Sequence, residues 1–447
     1  MTGYNKANAL LSRNLQSLSE KDKAYWSFKG NSNREYGHGL FQYPAMMVPQ
    51  ITKTIIDKII EVHPTITSIS DPFVGSGTVM TESMLRGLSF TGTDINPLAI
   101  LLCQVKSGPF LIDKLNKKSE ELKSRINNDN KTNYEVDFPN RKKWFTKSAL
   151  IYLSKIRRSI QTEDALWARR FFWVALAETI RITSNSRTST FKLHTRTEED
   201  IYERKQSINV IVTFSKILDH NLVEYKNLYT KLESKKLLLD GCYKQNIQIS
   251  ISDIRKTINP LMSNVIITSP PYGDNKTTVP YGQHSYLPLQ WIDFSDIDES
   301  LSKEDLLRTT NEIDSRSLGG NSTIKKEEIL KILQQSESLK KFLKRLEDKP
   351  RDKTNKVISF FRDLDQCLDA ILQSLTIGGI MVWVLGNRRV GGEQVPLDDV
   401  LSDLLITRNV NVFCELTRKI PSKRMAIKNN ITKTMSDEVI LIMRKER

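Results

Sequence analysis

An apolar run that stops at two prolines constrains the fold of this chain most. Residues 264–268, Asn-Val-Ile-Ile-Thr, have the pattern of a buried strand, and Ser269-Pro270-Pro271-Tyr272 follows directly. Two consecutive prolines fix φ twice and remove two N–H donors, so the strand cannot continue. The result is a stiff segment with one serine hydroxyl and one tyrosine ring at a strand's carboxyl end, where open α/β sheets bind ligands. An ordinary Pro-rich turn would explain these four residues equally well.

A second segment has the pattern of a strand, a Gly-rich turn and a helix. Residues 67–71 predict a short strand that ends at Asp71, and Phe73-Val74-Gly75-Ser76-Gly77-Thr78 leads into a helix. Gly75 and Gly77 allow positive φ and a close approach of a ligand to the backbone. The helix N-terminus adds free N–H groups. The turn lacks the Gly-Lys-Ser/Thr of a P-loop and the third glycine of a dinucleotide site, so both are disfavoured.

Two further predicted strands end at carboxylates. Residues 89–93 lead into Asp94-Ile95, about 20 residues after the Gly-rich turn, where an acidic residue holds ribose hydroxyls in Rossmann-like nucleoside sites. Asp94 could instead cap the helix that Pro97 begins, and the two roles are compatible. Residues 247–251 lead into Asp253, which could accept from an amino group of a ligand or cap a helix.

Alternating strands and helices predict an α/β fold with a Rossmann-like, doubly wound sheet, interrupted by two mostly helical insertions. The first insertion has helical stretches that include one continuous helix from Ile201 to about Lys236, and no strand alternation. After the second insertion we expect a helix from about Val357 to Leu375, a turn at 376–379 and a strand at 380–385. The expected divisions are an arm at 1–40, a cofactor half at 41–107, insertions at 108–245 and 286–354, the Ser269 strand and loop at 246–285, and C-terminal strands at 355–447.

Composition limits the partners of the chain. The net charge of +15 over 447 residues favours a polyanionic partner, most often nucleic acid. The four cysteines lie far apart and the five histidines are scattered, so we expect neither a disulfide framework nor a metal site. No apolar run reaches the roughly 20 residues needed to span a bilayer, and the first residues lack the apolar core of a signal peptide. These features predict a cytoplasmic protein with no membrane partner.

Together, the Gly-rich turn, the acidic end of the second strand and the Ser-Pro-Pro-Tyr segment resemble the amino-methyltransferase family. These class I methyltransferases use S-adenosylmethionine to methylate exocyclic amino groups of bases. Phe73 to Thr78 resembles the family's cofactor loop, and Phe41-Gln42-Tyr43-Pro44-Ala45 resembles the N-terminal motif that closes over the methionine. Ser269-Pro270-Pro271-Tyr272 resembles the catalytic motif, which is Asp/Asn/Ser-Pro-Pro-Tyr/Phe across the family.

The resemblance implies two sets of site residues. The cofactor set is Tyr43, Pro44, Asp71, Phe73, Gly75, Gly77, Thr78, Asp94, Ile95 and Asp253. The catalytic set is Ser269, Pro270, Pro271 and Tyr272. An exocyclic amine is a poor nucleophile, and two acceptors aimed at its N–H groups would free its lone pair for attack on the sulfonium methyl. Ser269 Oγ and the Pro270 carbonyl are the candidate acceptors, and Tyr272 offers a ring face for a flipped-out base.

The first residue of the catalytic motif bears on the target base. Serine there is typical of cytosine-N4 enzymes of this family and aspartate of adenine-N6 enzymes, so the resemblance implies a cytosine-N4 DNA methyltransferase of a restriction–modification system. Double-stranded DNA and a possible cognate restriction endonuclease are the implied partners. We expect residues 108–245 to recognise the target, assisted by the 273–285 loop and the second insertion.

Three alternatives stay open. The first is an adenine-N6 DNA methyltransferase. The second is a tRNA guanine-N2 methyltransferase, because Asp71 to Gly75 also resembles the cofactor loop of those enzymes, which carry Asp-Pro-Pro-Tyr and a large N-terminal RNA-binding domain. The third is an inactive DNA-binding homologue on the same fold.

Overall fold

The central sheet determines where ligands can bind. The computed structural model describes residues 3–30, 32, 34–257, 261–275, 278–420 and 436–446. Its strands are β1 (Ser68–Asp71), β2 (Ser89–Asp94), β3 (Leu238–Leu239), β4 (Cys242–Tyr243), β5 (Ile247–Ile251), β6 (Ser263–Thr268), β7 (Leu375–Gly386), β8 (Arg389–Val390), β9 (Glu393–Gln394), β10 (Val410–Lys419) and β11 (Asp437–Lys445). In this described part, seven strands form one sheet in the order β10-β11-β7-β6-β1-β2-β5.

The strand order produces a switch point between β1 and β6. Strands β5, β2, β1, β6 and β7 are parallel neighbours, and β11 runs antiparallel between β7 and β10. Chain order proceeds outward from β1 in one direction through β2 and β5, and in the other through β6 and β7. In doubly wound sheets, ligands bind at the carboxyl ends of the strands where this reversal occurs. Asp71 and Ser269 lie at those two ends.

Helices cover both faces of the sheet, as a doubly wound fold requires. Along β7, Val382 and Val384 belong to one hydrophobic cluster, whereas Met381 and Trp383 belong to the other. Such alternation shows that successive side chains of a strand point to opposite faces. The helices are α1 (Gly3–Lys21), α2 (Pro49–Val62), α3 (Thr78–Met84), α4 (Pro97–Lys106), α5 (Ile112–Asn128), α6 (Arg141–Trp144), α7 (Lys147–Gln161), α8 (Leu166–Thr183), α9 (Glu198–Ser207), α10 (Val210–Ser234), α11 (Tyr281–Trp291), α12 (Lys303–Leu306), α13 (Glu312–Arg316), α14 (Lys326–Gln335), α15 (Glu337–Lys344), α16 (Arg351–Gln373) and α17 (Leu397–Ile406). The predicted Rossmann-like fold class is confirmed.

The first insertion differs from expectation at two places. The single helix expected from Ile201 to Lys236 is two helices, α9 and α10, because Asn209 caps α10 by accepting a hydrogen bond from Val212 N at 3.1 Å. The expectation of no strands is also wrong, since β3 and β4 form a short hairpin. Asp240 (φ 49°) and Gly241 (φ 76°) make its turn, and this dipeptide is a hairpin signal that the helical reading overlooked.

The C-terminal region also departs from the predicted boundaries. Helix α16 begins at Arg351, directly after Pro350, so it extends across residue 354 and starts before the expected Val357. Strand β7 includes the predicted turn at 376–379: Ser263 pairs with Leu375 and Val265 with Ile380, so these four residues bulge from the strand. Residues 276, 277 and 421–435 of the expected loop and late-strand segments lie outside the described residues.

None of the helices in the described ranges is long and apolar enough to cross a membrane.

Candidate active site

A cavity lies at the carboxyl ends of β1, β2, β5 and β6. Its volume is about 940 Å³ when the solvent-filled space at its opening is included. Most of the residues predicted from the sequence line it: Tyr43, Pro44, Asp71, Phe73, Gly75, Thr78, Asp94, Ile95, Asp253, Ser269 and Pro271. Gly77, Pro270 and Tyr272 do not line its wall.

Residues of helix α4 hold the Gly-rich turn in place. Gly77 (φ 78°) is the N-cap residue of α3, and a Cβ at this position would lie 2.9 Å from Cys103 Sγ on α4. Only glycine therefore combines this left-handed backbone with such close packing of the turn on α4. Lys106, which is 2% exposed, donates a hydrogen bond from Nζ to the Ser76 carbonyl at 2.6 Å. Gly77 and Lys106 thus act on the shape of the turn and not on the cavity surface.

Asp94 ties the end of β2 to the Gly-rich turn. Its Oδ2 accepts from Gly75 N at 2.9 Å, and its Oδ1 accepts from Asn96 N at 2.9 Å. The alternative role of Asp94 as a helix cap is wrong, because Asn96 caps α4 by accepting from Leu98 N at 3.1 Å. Asp94 lines the cavity, and burial raises its pKa to about 6.

Asp71 joins the two strands at the switch point. Its Oδ1 accepts from Phe73 N at 3.0 Å and from Thr268 Oγ1 at 2.6 Å, so it orients the turn after β1. Asp71 is 3% exposed, and burial raises its pKa to about 7. Neither Asp71 nor Asp94 forms a salt bridge with any residue in the described ranges. A cationic ligand in the cavity would favour the ionised form of both.

Three residues of the segment from Phe41 to Ala45 line the cavity, namely Tyr43, Pro44 and Ala45, and the Tyr43 ring lies next to Gly75 of the Gly-rich turn. Tyr43 OH accepts from Asn96 Nδ2 at 3.2 Å, and the Tyr43 ring lies 5.8 Å from that of Tyr281 on α11. Burial lowers the pKa of His284 to about 3, so its imidazole is neutral and Nε2 donates to the Gln42 carbonyl at 3.0 Å. These contacts fix Tyr43 and Gln42 next to α4 and α11, and the closure of this segment over a ligand stays a prediction.

Asp253 is largely engaged within the protein. Its carboxylate accepts from Arg255 N at 3.1 Å, which caps a short 3₁₀ helix, and forms a 2.7 Å ion pair with the Arg255 guanidinium. Although burial alone would raise the pKa of Asp253, the bonds from Arg255 hold it below its ordinary value. The capping role predicted as one possibility is therefore present, and contact with a ligand stays a proposal.

The Ser-Pro-Pro-Tyr segment presents its first and third residues to the cavity. Ser269 and Pro271 line the wall, whereas Pro270 is buried and Tyr272 packs against the hydrophobic cluster that contains α16 and α17. Ser269 Oγ donates to Tyr272 OH at 3.2 Å, and Tyr272 OH donates to Glu438 Oε1 at 3.1 Å. The pattern of the final strand gave no indication that Glu438 would meet this motif.

Other cavity residues were missed by sequence reasoning. Ile313, Arg316, Ser317 and Leu318 of the second insertion form part of the wall. Asp314 brings them there, since its carboxylate accepts from Gly282 N at 2.8 Å and Gln283 N at 3.0 Å. Asn275 also lines the cavity, and its Oδ1 is buried without a hydrogen-bond partner among the described residues. Its position in the loop after Tyr272 was the one signal available.

These residues fit S-adenosylmethionine. The cofactor carries sulfonium and ammonium cations and a ribose diol, and the cavity offers two carboxylates without cationic partners in the described part of the chain. Gly75 (φ 49°) lets the backbone of the turn approach a ligand closely. No group of three or more metal-ligating side chains occurs among the residues that the structure describes.

Comparison with known proteins identifies the family. No family model matches the chain. The chain is 32% identical over 457 aligned positions to the Type II methyltransferase M.MvaI of Kocuria varians, and the match covers 96% of each protein. It is 28% identical over 157 positions to the Type II methyltransferase M.MjaII of Methanocaldococcus jannaschii, which covers 33% of this chain and 27% of that protein.

Among solved structures, the rRNA methyltransferase AviRa from Streptomyces viridochromogenes aligns with 90% of this chain and 87% of its own, at 8% identity. Its TM-score of 0.31 is too low to support an argument. The similarity to M.MvaI, which covers 96% of each protein, is sufficient by itself to identify the family of this chain. The chain belongs to the Type II methyltransferase family and uses S-adenosylmethionine as its methyl donor.

Proposed function

We propose that this chain is a sequence-specific DNA methyltransferase that methylates N4 of a flipped-out cytosine, within a restriction–modification system. The observation that carries the proposal is the position of Ser269 in the wall of the same cavity as Gly75, Asp71 and Asp94. This arrangement would bring the hydroxyl of a cytosine-N4-type motif to the place where the methyl donor binds. A cognate restriction endonuclease is the expected partner.

The cofactor would lie along the ends of β1, β2 and β5. S-adenosylmethionine supplies an electrophilic methyl group on a sulfonium centre. Asp94 would accept from the ribose hydroxyls, because a carboxylate at the end of the second strand has this role in Rossmann-like sites. Asp71 would face the cationic methionine end, beneath Tyr43 and Pro44. Asp253 and its partner Arg255 would border the adenine.

The target amine would meet acceptors that the protein already orients. The hydrogen of Ser269 Oγ is directed to Tyr272 OH, so the lone pairs of the serine oxygen are available to an amine N–H. The Pro270 carbonyl is the second proposed acceptor, and the two prolines restrict its movement. Flipping a base out of the duplex costs a few kcal/mol. Stacking on Tyr272 would require its ring to face the base, whereas in this structure the ring packs against the hydrophobic cluster that contains α16 and α17.

A hairpin in the first insertion is the best candidate for reading the DNA sequence. Ser186 bridges to Thr195, and Arg187 N donates to the His194 carbonyl at 2.8 Å. The hairpin lies beside the active site, because Leu193 N donates to the Gln283 side chain at 3.2 Å. Its tip exposes Arg187, Thr188 and Ser189, residue types that bind base edges and phosphates.

Expression in a methylation-free host followed by mapping of modified bases tests this function. We expect N4-methylcytosine in one fixed sequence motif. N6-methyladenine in a fixed motif would agree with DNA as the substrate but would show that the target base is adenine. Unmodified DNA together with newly methylated tRNA would overturn the proposal and favour the RNA alternative.

A further inference from the structure

Three polar contacts lead from the cavity into the protein. Ser269 Oγ donates to Tyr272 OH at 3.2 Å, and Tyr272 OH donates to Glu438 Oε1 at 3.1 Å. Arg418 Nη1 lies 3.1 Å from the other carboxylate oxygen, Glu438 Oε2. Every hydroxyl in this series donates in the same direction, away from the cavity and toward the carboxylate.

The carboxylate at the end of the series has a rigid setting. Glu438 and Arg418 lie directly opposite each other on the antiparallel strands β11 and β10. Their side chains are 15% and 4% exposed, so the ion pair is largely shielded from water. Sheet hydrogen bonds on both sides of β11 fix the position of Glu438 relative to β7 and β10. A buried ion pair costs desolvation energy and by itself is weak evidence for a role in stability.

The proposed reaction needs a proton acceptor, an inference that rests on the proposed function. The base nitrogen forms a bond to the methyl carbon while the methyl–sulfur bond breaks and its electron pair stays on sulfur. The nitrogen then carries a positive charge and must lose one proton. A side chain that accepts this proton as the new bond forms lowers the barrier to the step.

We propose that Glu438 is the final acceptor of this proton, which reaches it through Ser269 and Tyr272. Ser269 Oγ takes the proton from the amine and passes its own hydrogen to Tyr272. Tyr272 passes its hydrogen to Glu438, which ends as a neutral carboxylic acid. Both hydroxyls finish unchanged, and the charge created at the base is neutralised at Glu438.

The chemistry of the three groups favours the carboxylate as the end point. Serine does not hold a negative charge near neutral pH, and burial raises the pKa of Tyr272 well above its ordinary value. Each hydroxyl can therefore accept a proton only while it gives one away. Burial also raises the pKa of Glu438, which brings this carboxyl closer to the working pH of a general base. The groups that face this pair are Arg418, Ser269 and Tyr281.

Single-turnover methyl transfer at saturating DNA and S-adenosylmethionine, measured between pH 5.5 and 9, tests the relay. Glu438→Gln keeps a hydrogen-bond acceptor but cannot be protonated, and Tyr272→Phe keeps the ring but removes the hydroxyl. We expect both to reduce the rate about 100-fold, with the Kd values for DNA and cofactor within about twofold of wild type. Glu415→Gln is the matched control, since Glu415 is exposed on the same strand pair, and should behave as wild type.

The pH profile separates a relay from a structural contact. The wild-type rate should fall as pH decreases through the pKa of Glu438, because the protonated carboxyl cannot accept. Glu438→Gln should lack this acid limb and show a smaller solvent deuterium isotope effect, and Glu438→Asp should recover part of the rate.

Wild-type rate and an unchanged acid limb in Glu438→Gln would overturn the relay. So would a slow Tyr272→Phe enzyme that keeps the full isotope effect. If Glu438→Gln fails to fold, Tyr272→Phe alone tests the relay, through the same measurements of rate and solvent deuterium isotope effect. Identifying the base that the wild-type enzyme methylates tests the proposed function separately. The variants test the relay for that base, whether its exocyclic amine is on cytosine or on adenine.

Discussion

Asp71 Oδ1 accepts a hydrogen bond from Thr268 Oγ1 at 2.6 Å, and this contact joins the end of β1 to the end of β6. Asp71 begins the turn that we propose holds the cofactor, and Thr268 precedes the Ser-Pro-Pro-Tyr segment. One buried side-chain contact at the switch point therefore couples the two halves of the active site. We therefore expect changes on the proposed catalytic side to affect the proposed cofactor side.

Replacing Thr268 with valine should weaken cofactor binding through Asp71. The hydroxyl of Thr268 lowers the pKa of Asp71, so its loss raises that pKa further and reduces the ionised fraction at pH 7. Each unit by which the pKa of Asp71 rises should weaken cofactor binding by at most about 1.4 kcal/mol. Isothermal titration with S-adenosylmethionine measures it. Thr268→Ser, which keeps the hydroxyl, is the control, and equal affinities of the two variants would contradict the coupling.

Cofactor affinity should depend on the protonation of Asp71. Burial raises its pKa to about 7, and only the ionised form attracts a cationic ligand. The Kd for S-adenosylmethionine should therefore increase as pH falls from 8 to 6. Asp71→Asn should bind weakly with a flatter pH dependence. A wild-type Kd that is constant over this interval would argue against a cation near Asp71.

In the cofactor-free protein, the protonated form of the same carboxyl should stabilise the folded state, whereas cofactor binding should need its ionised form. Its folded-state pKa of about 7 lies above the ordinary value of 3.8, so the folded state binds the proton more tightly than the unfolded state. This contribution is complete below the unfolded pKa and is lost as pH rises through about 7. The melting temperature of wild type should thus fall relative to that of Asp71→Asn between pH 5 and 8. Parallel melting curves for the two proteins would contradict the raised pKa.

Gly77→Ala should distort the cofactor turn. The new Cβ would lie 2.9 Å from Cys103 Sγ, on a backbone with φ 78°, so strain and overpacking both act. We expect a loss of about 1–3 kcal/mol in the free energy of unfolding, measured by urea titration. Adding Cys103→Ala removes the steric contact and should recover part of the loss. If the double variant loses as much free energy of unfolding as the two single variants together, the whole effect of Gly77→Ala comes from backbone strain.

Arg187→Ala should weaken DNA binding without affecting the cofactor. Arg187 is exposed at the tip of the hairpin beside the active site. Loss of a base contact should cost about 1–3 kcal/mol, and loss of a phosphate contact should reduce the salt dependence of binding by about one unit. Fluorescence anisotropy at several salt concentrations distinguishes these outcomes. Lys117→Ala is a matched control, because Lys117 is 80% exposed on α5 of the same insertion. Equal losses in both variants would indicate a general charge effect.

The elements that position the site follow from local patterns. The buried strand before Ser269, the glycines at 75 and 77, and the carboxylates after β1 and β2 are local signals, and parallel strands bring their carboxyl ends to one edge of the sheet. The resemblance of these motifs to amino-methyltransferases supplied their roles. The roles themselves, including those of Ser269 and Asp94, stay predictions.

Contacts between distant segments were beyond the reach of local patterns. Asp314 enters the site through hydrogen bonds to Gly282 and Gln283 about thirty positions away, and no periodicity marks that pairing. Glu438 meets Tyr272 because β11 inserts between β7 and β10, which the alternation of a single strand does not reveal. Gly378 and Gly379 favoured a turn, but pairing of the flanking residues with β6 makes them part of a bulge.

Analysis of the methylated nucleoside tests the central claim most directly. Purified protein would be incubated with isotopically labelled S-adenosylmethionine and with duplex DNA or tRNA, and each product would be digested and separated by liquid chromatography with mass detection. Ser269→Ala serves as the matched variant, because Ser269 lines the cavity. We predict label in N4-methyldeoxycytidine from duplex DNA, reduced about 100-fold in the variant, and none in tRNA. Label in tRNA guanosine, or full activity of Ser269→Ala on DNA, would contradict the account.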